Sequence, residues 1–275
     1  GNLDVSQSPE LHGKVGGTVT LDVGGDKVGI VSALAMDTPE TSSPGDKVIF
    51  QDDLDSLKAD AQELTDAGVT KIIALTHEGY RRDQEIAAQV PGIDAVIGGH
   101  SHTLLGQMEG AEGPYPTMVK GADGAEVPVA TAYAYGKYLG HLVLTFDDSG
   151  RLTRAEGQPI LLDSSVAPDA RIAARVKDLA APIEQLKQKR VAELKAPVDG
   201  SRDTCRQREC EMGNVVTEAM LDRVKGQGIT IAIENGGGLR ASLPAGPVTM
   251  GDVLAVLPFQ NTLSTFQVSG ADIIA

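Results

Sequence analysis

KIIALTHEGYRRDQEIAAQVPGIDAVIGGHSH, residues 71–102, carries the pattern strand, short loop, helix, strand, loop. Residues 71–75 and 94–97 are short apolar runs rich in β-formers, and 82–90 between them has helical spacing. His77 follows the first strand; His100 and His102 follow the second. In an open α/β sheet ligands gather beyond the carboxyl ends of the strands, so the three imidazoles are expected to converge there. Gly98 and Gly99 are expected to let the backbone turn sharply. A lone loop histidine is most often a surface residue. Here three of the chain's five histidines sit at two neighbouring strand ends, which favours ligation of zinc, manganese or a related ion.

Upstream, 19–23 and 28–33 read as two strands joined across Gly24-Gly25-Asp26, a hairpin signal. Residues 35–50 read as a loop. Over 52–67 the spacing predicts an amphipathic helix with Leu54, Leu57, Ala61, Leu64 and Ala67 on one face, ended by Gly68. This βαβ rhythm predicts an α/β fold, a mainly parallel sheet covered by helices. Downstream, 127–133, 141–147 and 152–162 alternate as half-buried antiparallel strands. His141, expected to open one of them, and His12 are read as structural. Residues 168–194 are predicted as one long helix marked by Ile172, Val176, Leu179 and Ile183, kinked at Pro182, at the connection between two domains. Helices over 213–223 and 251–257, strands over 229–233 and 262–268, and a helix from Ala271 complete the second domain.

At 275 residues, with 41% hydrophobic and 23% charged residues, the composition is that of a globular protein of one large domain or two. No run of about 18 apolar residues marks a membrane span. A net charge of −14 makes nucleic acid a poor partner, although a few arginines can still hold a small phosphate. Aromatics are 3%, with no Trp, so any aromatic in a site is a meaningful choice. Gly1-Asn2-Leu3-Asp4-Val5 lacks the basic start and apolar core of a signal peptide, and the chain reads as starting mid-domain.

Cys205 and Cys210 are the only cysteines. A zinc site would need further Cys or His ligands, and two free thiols would suit a reducing compartment. A local disulfide in an oxidising compartment fits best, which predicts a periplasmic or extracellular home. Arg202, Arg206 and Arg240 carry guanidiniums able to grip phosphate oxygens in pairs, although any one of them alone is more often a solvated surface residue. The glycine run 236–238, between Asn235 and Arg240, lets a ligand approach the backbone at Gly237 and Gly238. It is not a Walker loop, which needs a following Gly-Lys-Ser/Thr. Phe259 offers one aromatic face for stacking; alone it would read as a core residue.

Two groups of motifs carry a resemblance. Leu75-Thr76-His77-Glu78-Gly79 and Gly98-Gly99-His100-Ser101-His102 resemble the last two metal-binding motifs of calcineurin-like metallophosphoesterases, in the spelling of the 5'-nucleotidase/UDP-sugar hydrolase branch. Cys205-Arg-Gln-Arg-Glu-Cys210, Asn235-Gly-Gly-Gly-Leu-Arg240 and Leu257-Pro-Phe259-Gln-Asn261-Thr-Leu263 resemble the 5'-nucleotidase C-terminal domain in order and spacing. The likeness runs over nearly the whole chain. It implies a partial α/β/β/α sandwich over 1–165, a linker helix over 166–195 and a partial α+β C-terminal domain over 196–275. It also implies two divalent metal ions, zinc or manganese, with His77 and His100 on one and His102 on the other. Arg202, Arg206, Asn235 and Arg240 would hold phosphate, and Phe259 and Asn261 the nucleoside. Gly237 and Gly238 belong to the same substrate-binding set.

The family's Asp-x-His and Gly-Asn-His-Asp/Glu motifs have no counterpart in residues 1–70, and its second stacking aromatic would lie beyond residue 275. The resemblance therefore implies an internal fragment of a longer enzyme, without the catalytic His and Asp and inactive alone. The expected parent activity is release of phosphate from nucleoside 5'-monophosphates. Alternatives are a 2',3'-cyclic phosphodiesterase or UDP-sugar hydrolase of the same family, a non-catalytic nucleotide-binding module, and a thiosulfate-oxidation partner. The nucleotide-like set Arg206, Asn235, Arg240 and Phe259 speaks against the last.

Overall fold

Short β-branched runs separated by glycine turns build the first half of the chain. The computed structural model describes residues 1–259 and 261–274 and divides into two units, Gly1–Ala167 and Pro168–Ala275. In the first unit the elements run β1 (Leu3–Asp4), β2 (Val19–Val23), β3 (Asp26–Leu34), α1 (Thr38–Thr41), β4 (Ile49–Phe50), α2 (Asp53–Asp66) and β5 (Lys71–His77). They continue with α3 (Tyr80–Gln89), β6 (Ala95–Ile97), β7 (Thr117–Lys120), β8 (Glu126–Ala130), β9 (Tyr138–Phe146) and β10 (Leu152–Leu161).

Six strands form one mixed sheet in the order β2-β3-β5-β6-β8-β7, in which β3, β5, β6 and β8 are parallel. The predicted hairpin joins β2 to β3, with Gly24 and Gly25 at φ of 64° and 96°, as a tight turn of that hand requires. Asp52 caps α2 by accepting from the Asp55 amide at 2.9 Å, and Gly68 at φ 80° follows its end. Leu57, Ala61 and Leu64 of α2, Ile86 and Ala87 of α3 and Val90 just after it pack on Val31, Ile72, Ala74, Val96 and Val129 of the sheet. Complete burial of Leu57 or Ile86 stabilises by about 2 kcal/mol each. On the opposite face Leu75 and Ile97 remain exposed. The parallel strands β5, β6 and β8 all end toward the histidine loops. That is how the fold positions the site.

The second unit holds α4 (Ala170–Lys187), β11 (Arg190–Leu194), α5 (Arg202–Cys205), α6 (Glu211–Arg223), β12 (Gly246–Thr249), α7 (Met250–Val256) and α8 (Gly270–Ile274). The long helix expected over 168–194 stops at Lys187, and residues 190–194 pair antiparallel with β12 instead. The partner strand satisfies their backbone, which local propensity could not reveal. Ile172, Val176, Leu179 and Ile183 are exposed, although their spacing reads as a core face. The strands expected over 229–233 and 262–268 do not form: neither run has a ladder partner among the described residues, and Ile231 and Ile233 are exposed. His141 lies within β9 opposite Gln158 rather than opening the strand.

Candidate functional site

The histidine loops are held by their neighbours. His77 is the last residue of β5, and its carbonyl accepts from the Ala35 amide at 3.1 Å. Gly79, at φ 94°, caps the start of α3, and the Tyr80 amide donates to the Ser101 hydroxyl at 3.0 Å, tying the two histidine motifs together. The His77 and His100 rings meet edge-on with centroids 5.1 Å apart. His102 lies instead against Tyr135, ring to ring at 5.3 Å. So His77 and His100 come together as expected, and His102 packs on a neighbour that sequence reasoning missed.

The glycines of the Gly-Gly-His-Ser-His motif do a different job from the one expected. Positive φ falls on His100 (71°) and His102 (58°), not on Gly98 or Gly99. Gly98 is small because a Cβ there would overlap the carboxylate of Asp83, and Gly99 because a Cβ would lie 3.1 Å from the His77 ring. Left-handed backbone at a non-glycine residue costs about 1–3 kcal/mol and gathers at functional sites.

Nothing in the sequence singles out Asp83, a helical residue without a motif around it. It is fully buried, and Thr76, next to His77, bonds its Oδ1 at 2.6 Å. Among the described residues neither Asp83 Oδ2 nor Glu78 Oε1 has a hydrogen-bond partner. Burial pushes Asp83 up to about 6, with the Thr76 bond acting in the opposite direction. Burial, then the nearby Asp53 charge, pushes Glu78 up to about 7. The folded state therefore keeps a proton on Asp83 that the unfolded chain releases above pH ~4, so this contribution to stability is lost as pH rises from about 4 to 6. We expect Asp83→Asn to flatten that fall, a difference of about 3 kcal/mol across the window. Melting temperatures of both proteins at pH 4.5 and 7 check it; parallel pH profiles would refute it.

Imidazole nitrogens suit zinc and manganese, but among the described residues no group of three or more His, Cys, Asp or Glu converges to hold an ion. The three histidines fit as donors and do not by themselves complete a ligand set. Asp37, whose Oδ2 lies 3.8 Å from His100 Nε2, is the nearby carboxylate that the sequence did not advertise.

In the second unit Cys205 and Cys210 are bridged, with Cα atoms 5.1 Å apart, and Cys210 caps α6. The glycine run rests on this loop: a Cβ on Gly236 would overlap the Cys205 carbonyl, and one on Gly237 would lie 3.8 Å from the Arg206 guanidinium. Arg240 donates from Nη1 to the Gly237 carbonyl at 3.3 Å and sits over the Phe259 ring at 5.4 Å. A cleft of about 520 Å³ is lined by Asn235, Gly238, Phe259 and Asn261 of the expected set, with Glu234 and Leu257 beside them. Phe259 is 56% exposed, so it is not a core residue. Burial raises the Glu234 carboxyl, a cleft residue that sequence reasoning missed. Arg202, at the exposed start of α5, and Arg206, Gly237 and Arg240 of the expected set are not among the cleft-lining residues. Gln260, part of the 257–263 motif, lies outside the described residues.

Residues 189–275 match the family described as 5'-nucleotidase, C-terminal domain. A 5'-nucleotidase of Mus musculus is 39% identical over 266 residues, 91% of this chain and 46% of its own length. The chain belongs to the 5'-nucleotidase family. A snake venom 5'-nucleotidase of Gloydius brevicauda is 37% identical over 91% of this chain and 45% of its own length. The crystal structure of a 5'-nucleotidase precursor from Thermus thermophilus superposes with a TM-score of 0.90 at 41% identity, covering 95% of this chain and 52% of that one. Its mixed α/β fold with a central mixed sheet is the fold seen here. The chain thus spans about half the length of the 5'-nucleotidases it matches. No helix among the described residues is long and apolar enough to cross a membrane.

Proposed function

We propose that this chain is the part of a 5'-nucleotidase that binds the nucleotide and supplies three histidine ligands, within a hydrolase that releases phosphate from nucleoside 5'-monophosphates. The observation that carries the reading is the cleft in which Asn235, Gly238, Phe259 and Asn261 meet beside Arg240. Arg240, Arg206 and Arg202 hold the phosphate; the Phe259 face and Asn261 hold the nucleoside. We read residues 1–165 as part of an α/β/β/α sandwich, 166–195 as a linker and 196–275 as part of the C-terminal domain. The exposed apolar residues Leu75 and Ile97 support the sandwich, since such a face is stable only when covered.

His77, His100 and His102 would hold two divalent ions, zinc or manganese, in part. When bound, such ions polarise phosphate and make water a nucleophile near neutral pH. This chain's residues orient the substrate: guanidiniums grip phosphate oxygens and neutralise their charge, while the exposed aromatic fixes the base. With no complete ligand set among the described residues, we read the chain alone as inactive. The Cys205–Cys210 bridge supports an oxidising, periplasmic or extracellular location.

Phosphate release from AMP, with manganese, zinc or cobalt added, tests this for the chain beside a longer polypeptide containing it. Release only from the longer form is expected. Release from both would mean that residues of this chain complete the ion site. Silence from both would favour a nucleotide-binding module.

A further inference from the structure

All four described non-glycine residues with positive φ lie on two loops: His100 and His102 on one, Tyr133 (65°) and Tyr135 (61°) on the other. These loops leave the carboxyl ends of the neighbouring parallel strands β6 and β8. They are tied together by the Tyr133 amide, which donates to the Thr103 carbonyl at 3.0 Å, and by a bridge between Leu104 and Ala132. A bulky side chain in this backbone region is uncommon, and glycine takes it without penalty, as Gly136 at φ 66° does next door. Tyr135 is also 73% exposed, so burial does not hold it there.

What the tyrosine does is meet His102: the rings stand edge-on, 5.3 Å apart at 73°. The loop is braced on its other side. Tyr133 meets Tyr138 edge-on at 6.2 Å, and Lys137 Nζ lies 5.7 Å from both ring centroids. Edge-on aromatic contact fixes the mutual orientation of two rings.

We propose that Tyr135 is a positioning residue for His102: its ring, held by a strained and braced loop, sets the direction in which the His102 nitrogens present themselves. This rests on the reading of His102 as a site residue. Strain at an exposed tyrosine then has a use, because local backbone strain concentrates where geometry is imposed for function.

Imidazole resonances of the chain, with His102 assigned through His102→Gln, test the proposal in Tyr135→Gly and Tyr135→Phe, without metal and during a zinc titration. Tyr135→Gly is expected to move the His102 resonance and leave that of His77 in place. It should raise the zinc concentration needed to perturb His102 by about 10- to 100-fold, the usual cost of losing an orienting neighbour. Its melting temperature should not fall, since glycine relieves the strain. Tyr135→Phe keeps the ring and should behave as the parent chain. An unmoved His102 resonance in Tyr135→Gly, or a phenylalanine variant as impaired as the glycine one, would overturn the proposal. If zinc perturbs none of the parent's imidazoles, the ligand reading fails separately, and the zinc-free shift alone decides the positioning.

Discussion

Arg240→Ala is expected to weaken AMP binding about 10- to 100-fold and to leave zinc binding unchanged. A hydrogen bond to a charged partner contributes about 1.5–3 kcal/mol, and each 1.4 kcal/mol is about tenfold in affinity. Arg240 is placed for such a bond by two restraints: its amide donates to the Val256 carbonyl at 3.0 Å, and its guanidinium lies over Phe259. Truncation would remove the proposed phosphate contact and also free the aromatic proposed to receive the base. Arg240→Lys retains the charge without the planar fork and should recover only part of the loss. Isothermal titration with AMP and with zinc separates the two activities. Equal losses of both would refute the assignment of phosphate to the second unit and metal to the first.

Arg82→Met should cost about 3 kcal/mol of stability at pH 7, the lower end of the range for breaking a buried pair. Asp53 is 1% exposed at the start of α2, and Arg82 of α3 grips it with Nε and Nη2, both at 2.7 Å. The same guanidinium bonds Glu85 at 2.7 Å. The Arg82 hydrogen bond holds the Asp53 carboxyl below the usual carboxylate range, against the effect of burial. With a depressed folded pKa, that stabilisation is present above pH ~4 and is lost as pH falls through the folded value. The variant leaves a carboxylate buried without its partner, so its penalty should shrink near pH 4, where Asp53 can take up a proton. Urea unfolding at both pH values measures this. A cost below about 1 kcal/mol at pH 7 would mean that the pair acts as a surface ion pair, because part of Arg82 reaches solvent.

The βαβ rhythm of the first unit was legible because its helices and strands announce themselves locally. Asp52, Gly68 and the Gly24-Gly25 turn are signals that depend on nearby backbone alone. The second unit was harder. Residues 190–194 look helical until β12, more than fifty residues on, offers a pairing edge, and 229–233 look like a strand although no ladder forms there among the described residues. Motif spelling pointed to His77, His100 and His102 and to the cleft residues around Phe259. It could not point to Asp83 or Tyr135, whose roles come from contacts across loops. The three arginines expected to hold phosphate, Arg202, Arg206 and Arg240, are not among the cleft-lining residues, and Arg240 is tied to the cleft through its contact with Phe259.

Gly98 and Asp83 occupy one space between them, fifteen positions apart in sequence. Neither can change size independently. Alanine at 98 would overlap the buried Asp83 carboxylate unless that side chain shifts or shortens. The two positions are therefore expected to couple, so that the cost of alanine at 98 depends on the residue at 83. The glycine beside the histidines is thus tied in size to the acid that α3 carries.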